Sequence, residues 1–186
     1  MQRKFPRPVK RIVIKVGSSV IATYKMKPRV AHLKSLVNQI CQIQKKGVDV
    51  ILVSSGAIVL GMGELSLLKR PKELSFLQAL AAVGQTTLMR KYYEFFSKNK
   101  VNCAQVLLTW DDFDNRGRYV NAHNTFDAIL ENKIVPVVNE NDTISTEEIK
   151  FGDNDKLSAM VASLVEADLL LILSDVDKYF CAFSMF

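Results

Sequence analysis

Hydrophobic and polar positions alternate along this chain in two distinct patterns. Short apolar runs rich in β-branched residues are typical of buried strands, whereas apolar residues that recur every three or four positions indicate amphipathic helices. The strand-like runs are RIVIKV (11–16), VDVILV (48–53), CAQVLL (103–108), KIVPVV (133–138) and DLLLIL (168–173). The helix-like stretches cover residues 30–43, about 73–98, about 118–132 and 155–166.

The order of these elements predicts an α/β fold. Parallel neighbouring strands need crossover connections, and strands that are apolar almost throughout need cover on both faces. We therefore expect a three-layer αβα sandwich around a mostly parallel open sheet, formed by one domain over residues 11–177. A basic tail (1–10) precedes this domain, and an apolar tail (178–186) follows it.

Composition narrows the class of protein. The chain has 186 residues, of which 48% are hydrophobic, and a formal net charge of +6. The longest apolar run, LLLIL, is far shorter than the roughly 20 residues of a membrane span. Three cysteines without paired spacing favour a reduced, cytoplasmic setting. Because the basic tail has a single aromatic residue, Phe5, and no RNA-binding signature, nucleic-acid binding is the weaker alternative, and the positive charge suits a polyanionic substrate.

Polar segments follow every predicted strand. These segments are GSS (17–19), SSGA (54–57), TWDD (109–112), NEND (139–142) and SDVD (174–177). Ligands of open parallel sheets bind outside the carboxyl ends of the strands, so these segments are the candidate site. Glycine turns let the backbone approach an anion, and amides at the start of a helix attract it. Neither GxxxxGK[ST] nor GxGxxG is present, so a nucleotide would have to be held in another way.

Two features suggest a site rather than mere connections. Lys15 interrupts an apolar strand, where a buried ammonium needs a partner; the alternative is an edge lysine that reaches solvent. Asp153, Asn154 and Asp155 open a helix that needs only one capping residue. All three could simply favour the helix dipole, each by about 0.3–1 kcal/mol. Without NEND and Lys15 we would prefer that alternative. With them, we prefer the interpretation that Asp153 caps, Asn154 donates a hydrogen bond to a ligand and Asp155 holds a lysine or hydrated magnesium.

Seven consecutive segments resemble the signatures of one family. IVIKVGSSVI, VILVSSGAI, AAVGQTTLM, VLLTWDDF, IVPVVNENDTI, IKFGDNDKLSA and LLILSDVD resemble, in order from about residue 11 to 177, those of the glutamate 5-kinases within the amino acid kinase family. The resemblance implies ATP-dependent phosphorylation of the side-chain carboxylate of L-glutamate, the first step of proline biosynthesis. It also implies magnesium carried with ATP, no protein-held metal, a homo-oligomer, and proline as a feedback inhibitor.

The resemblance also implies residue roles. Lys15 would lie on the transferring phosphates, and Asp155 would organise the catalytic charges. Glutamate would be bound by Ser55, Gly56, Asp142 and Asn154, and ATP by Lys15, Gly17, Ser18, Ser174 and Asp175. A glutamate side chain has a pKa of about 4.3, so it is an anion at neutral pH and needs no general base.

The final residues depart from the family pattern. Members of the family continue into a glycine-rich loop and a second phosphate-binding lysine, whereas this sequence reads DVDKYFCAFSMF. We therefore expect the C-terminal nucleotide-binding part to be largely missing and the activity of these 186 residues alone to be doubtful. The alternative function is a non-catalytic amino-acid-binding or assembly module derived from the kinase.

Overall fold

The computed structural model describes residues 8–145 and 153–174, without the side chain of Asp153. Its strands are β1 (Arg11–Val16), β2 (Asp49–Ser54), β3 (Cys103–Leu108), β4 (Val135–Glu140) and β5 (Leu169–Leu173). Its helices are α1 (Ser18–Ile21), α2 (Val30–Lys45), α3 (Ala57–Glu64), α4 (Leu74–Lys98), α5 (Asp111–Asp114), α6 (Arg116–Glu131) and α7 (Asp153–Leu164). Asp175 and the predicted apolar tail lie outside the described residues, as do the first seven residues of the basic tail.

The five strands form one sheet in the order β3-β4-β2-β1-β5, and every pairing is parallel. Strand β1 lies between β2 and β5, with Lys15 opposite Val53 on one side and Ile172 on the other. The carboxyl ends of all five strands therefore meet at one edge of the sheet. This arrangement confirms the predicted parallel α/β architecture.

Helices cover both faces of the sheet, which confirms the three layers. Ile12, Ile14 and Val16 of β1 belong to a buried cluster that includes residues of α2 and α4. Val13, between them, belongs to a second cluster with residues of α6 and α7. Because side chains alternate along a strand, Lys15 shares the face of Val13 and points toward α7.

Glycines allow α3 and α4 to pack unusually closely. A Cβ atom on Gly84 of α4 would lie 1.7 Å from the carbonyl oxygen of Ala57, and one on Gly61 of α3 would lie 2.0 Å from that of Leu80. No other residue fits at these two positions without moving the helices apart. The contact between Ala57 and Gly84 holds the start of α3, directly after β2, against α4 at the residue before Gln85.

Several predicted boundaries were wrong. Strand β4 begins two residues later than predicted, because Lys133 adopts a left-handed conformation (φ 57°) and Ile134 still donates to the carbonyl of Ile129 in α6. Asn139 and Glu140 consequently belong to the strand rather than to a loop. Helix α7 already includes Asp153, which was expected to precede it as a cap. Helices α1, α3 and α5 were not predicted, since they are too short or too uniformly apolar to show a helical period.

Strand β5 is an edge strand within the described residues. Its Leu171, Ile172 and Leu173 side chains are exposed, although the sequence pattern is that of a fully buried strand. No helix in the described ranges has the length and apolar character needed to cross a membrane.

Candidate functional site

Lys15 forms an ion pair with the first turn of α7. Its side chain is almost buried, and its Nζ lies 2.5 Å from Oδ1 of Asp155, whose side chain is half exposed. The strand places the lysine stem among apolar neighbours, while the carboxylate on α7 compensates the ammonium charge. The pair confirms that Lys15 is not an edge lysine reaching solvent, and Asp155 holds the lysine as expected.

The backbone after β1 passes directly beside this ammonium group. A Cβ atom on Gly17 would lie 3.8 Å from Lys15 Nζ, so the absence of a side chain keeps the space next to the cation open. The Gly17 amide donates to the carbonyl of Leu173 at 3.1 Å, which ties the end of β1 to the end of β5. Ser18 begins α1, and Ser174 follows Leu173, so both lie at the same edge of the sheet as Lys15.

Asn154, beside Asp155 on α7, spans the ends of β2 and β4. Its Nδ2 lies 3.2 Å from the carbonyl oxygen of Ser54, 2.8 Å from Ser55 Oγ and 3.0 Å from Asn139 Oδ1. The two amide hydrogens are therefore directed at three protein acceptors. The expected donation from Asn154 to a ligand competes with these bonds, and Oδ1 is its other hydrogen-bonding atom.

The hydrogen-bonded chain continues from Asn154 into the middle of α4. Asn139, which is buried at the end of β4, donates from Nδ2 to Oε1 of Gln85 at 3.0 Å. The Nε2 atom of Gln85 is buried and finds no acceptor among the residues in the described ranges. Sequence reasoning assigned no role to Asn139 or Gln85, although both occur in the segments that carry the family resemblance.

Ser55 and Gly56 form the sharp connection between β2 and α3. The Ser55 amide donates to the carbonyl of Val16, which holds it beside the end of β1. Gly56 has φ +100°, a left-handed conformation that side chains disfavour, and a Cβ atom there would also crowd Ile21 at 3.1 Å. This connection places the Ser55 hydroxyl within reach of Asn154.

A buried hydroxyl pair supports the end of β2 from behind. Ser54 Oγ and Tyr92 OH lie 2.9 Å apart, and burial raises the pKa of the Tyr92 phenol well above its ordinary value. The phenol therefore stays neutral at pH values at which an ordinary tyrosine begins to ionise, and it remains able to hydrogen-bond with Ser54.

Asp142 lies in the turn after β4, at the same cleft as Gln85. A cleft of about 230 Å³ is lined by both residues, together with Glu140 and with Thr86 of α4. Glu140 accepts a hydrogen bond from the Ser145 hydroxyl at 2.9 Å, which closes the turn. The cleft thus continues the row of polar groups that begins at Lys15.

The TWDD segment lies at the same edge but makes mainly local contacts. Asp112 accepts bonds from the amide and hydroxyl of Thr109, at 2.6 and 2.9 Å, which closes the turn into α5. The Lys156 ammonium lies 4.3 Å from the centre of the Trp110 ring, a cation–π contact that joins this turn to α7. These contacts anchor the segment without assigning it a ligand.

The structure thus brings together most of the residues that the sequence pointed to. Lys15, Gly17 and Asp155 form one end, Ser55 and Asn154 the middle, and Asp142 the other end, while Asp175 lies outside the described residues. We call this row the polar strip; its side-chain members are Lys15, Asp155, Asn154, Ser55, Asn139, Gln85 and Asp142. Its groups can hold an elongated ligand with an anionic end at Lys15 and a cationic end at Asp142.

The chain is similar to known proteins along most of its length. The profile of the amino acid kinase family matches residues 10–180. The glutamate 5-kinase of Carboxydothermus hydrogenoformans is 50% identical over 97% of this chain and 49% of its own length. That of Caldanaerobacter subterraneus subsp. tengcongensis is 51% identical over 91% of this chain and 46% of its own. The chain therefore spans about half the length of these relatives.

The likeness to a solved structure concerns the fold. A crystal structure of the T. acidophilum isopentenyl phosphate kinase product complex aligns with 90% of this chain and 71% of its own, with a TM-score of 0.60. The sequence identity is 17%, so this similarity supports the layered architecture and carries no information about the ligand.

Proposed function

The chain belongs to the amino acid kinase family, and from this premise we propose that it forms the amino-acid-binding part of a glutamate 5-kinase. In this proposal, the complete enzyme transfers the γ-phosphoryl group of ATP to the side-chain carboxylate of L-glutamate. The polar strip is the observation that carries the proposal, since it offers the ammonium group of Lys15 at one end and the carboxylate of Asp142 at the other. L-Glutamate likewise has an anionic side chain at one end and an ammonium group at the other.

The Lys15 end receives the reacting carboxylate and the transferring phosphoryl group. Two like charges about 4 Å apart repel by about 4 kcal/mol at an effective dielectric near 20, so these anions need a cation between them. Lys15 supplies one, and the open backbone at Gly17 lets an anion approach it. Catalysis in this proposal consists of positioning and charge neutralisation rather than proton transfer.

The Asp142 end receives the α-amino group. A carboxylate is the ordinary partner of an ammonium group, and charge-assisted hydrogen bonds of this kind contribute about 1.5–3 kcal/mol. Ser55 and Asn154 lie between the two ends and contact the body of the amino acid. Gly56 gives the backbone the turn that this placement needs.

In this proposal, ATP is the co-substrate and carries magnesium. Ser18, Ser174 and Asp175 are proposed nucleotide contacts, and the first two lie at the edge that Lys15 faces. Within the described ranges, no cluster of three or more His, Cys, Asp or Glu side chains could hold a metal ion. From the family resemblance, we propose that magnesium arrives with the nucleotide. Inhibition by proline and assembly into homo-oligomers are further proposals from the family.

Calorimetry with three ligands tests the amino-acid site. We expect L-glutamate to bind, L-glutamine to bind weakly because it lacks the side-chain carboxylate, and glutarate to bind weakly because it lacks the amino group. Asp142→Ala should weaken L-glutamate binding by about 10- to 100-fold, the cost of one charge-assisted hydrogen bond. Asp114→Ala, which removes an exposed carboxylate of α5, is the matched control. A folded wild-type chain that binds no L-glutamate would contradict the proposal.

The exposed edge of β5 favours a second candidate function. An open strand edge with apolar side chains pairs readily with further polypeptide, as an assembly module would require. A module of this kind would bind L-glutamate but form no acyl phosphate, so hydroxylamine would trap no hydroxamate in the presence of ATP and magnesium. Hydroxamate formation by the chain alone would exclude this alternative.

A further inference from the structure

The three side-chain amides of the polar strip are connected in series, and one backbone atom sets the direction of the series. The carbonyl oxygen of Ser54 can only accept a hydrogen bond. The Asn154 atom that faces it, at 3.2 Å, must therefore be the donor Nδ2. No rotation of the Asn154 amide by 180° is compatible with this contact, since it would bring two oxygens together.

The fixed orientation of Asn154 determines those of the next two amides. The Asn139 atom that faces Asn154 Nδ2 must be an acceptor, so it is Oδ1. The opposite atom of Asn139 is then Nδ2, and its neighbour on Gln85 must be Oε1. Gln85 is left with Nε2 at the end of the series, buried and without an acceptor among the described residues. The orientation of the Gln85 amide is set by Asn139, because turning this amide around would place two donors against each other.

The same argument sets the roles of the groups that face a ligand. Ser55 Oγ accepts from Asn154 at 2.8 Å, so the hydroxyl hydrogen of Ser55 is available for donation. The Nδ2 of Asn154 is occupied by protein acceptors, so Asn154 can offer a ligand only its Oδ1. Ser55 is therefore a donor suited to a carboxylate, and Asn154 is an acceptor suited to an ammonium group.

We infer that Gln85 is a positioning residue that acts through Asn139 to hold the carbonyl oxygen of Asn154 toward the α-ammonium group of the substrate. The identity of the substrate rests on the proposed function, whereas the amide series itself does not. Gln85 is held in place by the neighbouring Gly84, whose contact with Ala57 fixes α4 against the start of α3. The specificity of the site for amino acids over simple dicarboxylates thus depends partly on the amide of a residue of α4.

Two substitutions of Gln85 separate positioning from direct contact. Gln85→Leu removes the acceptor that Asn139 needs, whereas Gln85→Glu keeps an acceptor oxygen, removes the amide donor and adds a carboxylate. Gln78→Leu is the matched control, because Gln78 lies on the same helix and donates to the carbonyl of Ser145, outside the series. If the leucine variant does not fold, Gln85→Ala provides the same test with a smaller side chain.

Hydrogen exchange tests the series without any ligand. The side-chain amide protons of Asn154, followed by nuclear magnetic resonance, should exchange slowly in the wild type, in Gln85→Glu and in Gln78→Leu. In Gln85→Leu we expect exchange at least tenfold faster. Unchanged exchange in Gln85→Leu would overturn the inference, whether or not the protein binds glutamate.

Ligand binding tests the consequence for specificity. In Gln85→Leu, the affinity for L-glutamate should fall at least fivefold while that for glutarate, which lacks the ammonium group, stays within threefold of the wild type. In Gln85→Glu, the preference for L-glutamate should be retained. Equal losses for both ligands, or a Gln85→Glu variant as impaired as Gln85→Leu, would refute the positioning role. A wild type that binds neither ligand would contradict the proposed function, and hydrogen exchange would still decide the amide series.

Discussion

Removing Asp155 and removing Lys15 should change the stability of the protein by very different amounts. Lys15 is only 7% exposed, whereas the side chain of Asp155 is 50% exposed. Asp155→Ala leaves an ammonium group almost buried and without its carboxylate. Lys15→Met leaves a carboxylate that water can reach, in the first turn of α7, where the helix dipole favours negative charge.

The magnitude follows from the burial of the two groups. Breaking a fully buried ion pair costs about 3–5 kcal/mol, and breaking an exposed pair costs about 0.2–1 kcal/mol. This pair is intermediate, so Asp155→Ala should lower the free energy of unfolding by about 2 kcal/mol. For a chain of this size, that corresponds to a melting temperature about 4–8 °C lower. Lys15→Met keeps the apolar stem and should change the stability by less than about 0.5 kcal/mol.

A double-mutant cycle measured by urea unfolding tests this asymmetry. The Lys15→Met/Asp155→Ala protein should be nearly as stable as Lys15→Met, because no buried charge is left without a partner. The coupling energy between the two positions should then be about 1–2 kcal/mol. If Lys15→Met destabilises the protein as much as Asp155→Ala does, or if the two effects simply add, the buried ammonium is not the group whose charge needs compensation. Either outcome would refute the reasoning.

Two further substitutions test the fold around the site. Gly84→Ala should destabilise the protein by about 3 kcal/mol or more, because its Cβ atom would lie 1.7 Å from a backbone oxygen. Gly117→Ala in α6 is the control and should not have this effect, because its Cβ atom would lie 3.3 Å from its nearest neighbour. The midpoints of urea unfolding compare the two variants. The backbone amides of Lys10 and Arg11 donate hydrogen bonds to Asp168 and hold the pKa of its carboxyl group below the ordinary value. The stability that these bonds contribute is fully present above the pKa of about 4 in the unfolded chain, and it is lost as the pH falls through the lower pKa of the folded protein. Asp168→Asn should therefore show a shallower loss of stability on acidification than the wild type in thermal unfolding below pH about 4.

The sequence contained most of the information that determines the fold. The runs RIVIKV and CAQVLL are strands with the predicted limits, because short, mainly apolar runs without a helical period are typical of strands. The long helix α4 begins within one residue of its predicted start. The start of β4 was misplaced for a local reason. Lys133 adopts a left-handed conformation, which is uncommon for residues other than glycine and is not expected from a lysine in the sequence.

The site was predictable only in part, for a physical reason. A lysine within an apolar strand and a carboxylate at the start of a helix are each unusual enough to be noticed in a sequence, and they form a pair in the structure. Asn139 and Gln85 are ordinary polar residues whose role depends on which atoms face each other across 54 residues of chain. Neither composition nor spacing contains that information, because it originates in the direction of a backbone carbonyl at the end of β2.

The charges of the polar strip explain why an amino acid and a nucleotide make different demands on it. Lys15 contributes one positive charge, and Asp155 and Asp142 contribute two negative charges, so these three residues together are anionic. In the proposed function, L-glutamate places its ammonium group at Asp142 and its side-chain carboxylate near Lys15. Because it has two carboxylates and one ammonium group, it adds one further negative charge to these residues. A triphosphate has no cationic group to offer, and Lys15 is already engaged by Asp155. In the proposed function, phosphoryl transfer at this edge therefore needs positive charge beyond that of the strip, which magnesium bound to the nucleotide would supply, and this need is greater for the triphosphate than for the amino acid.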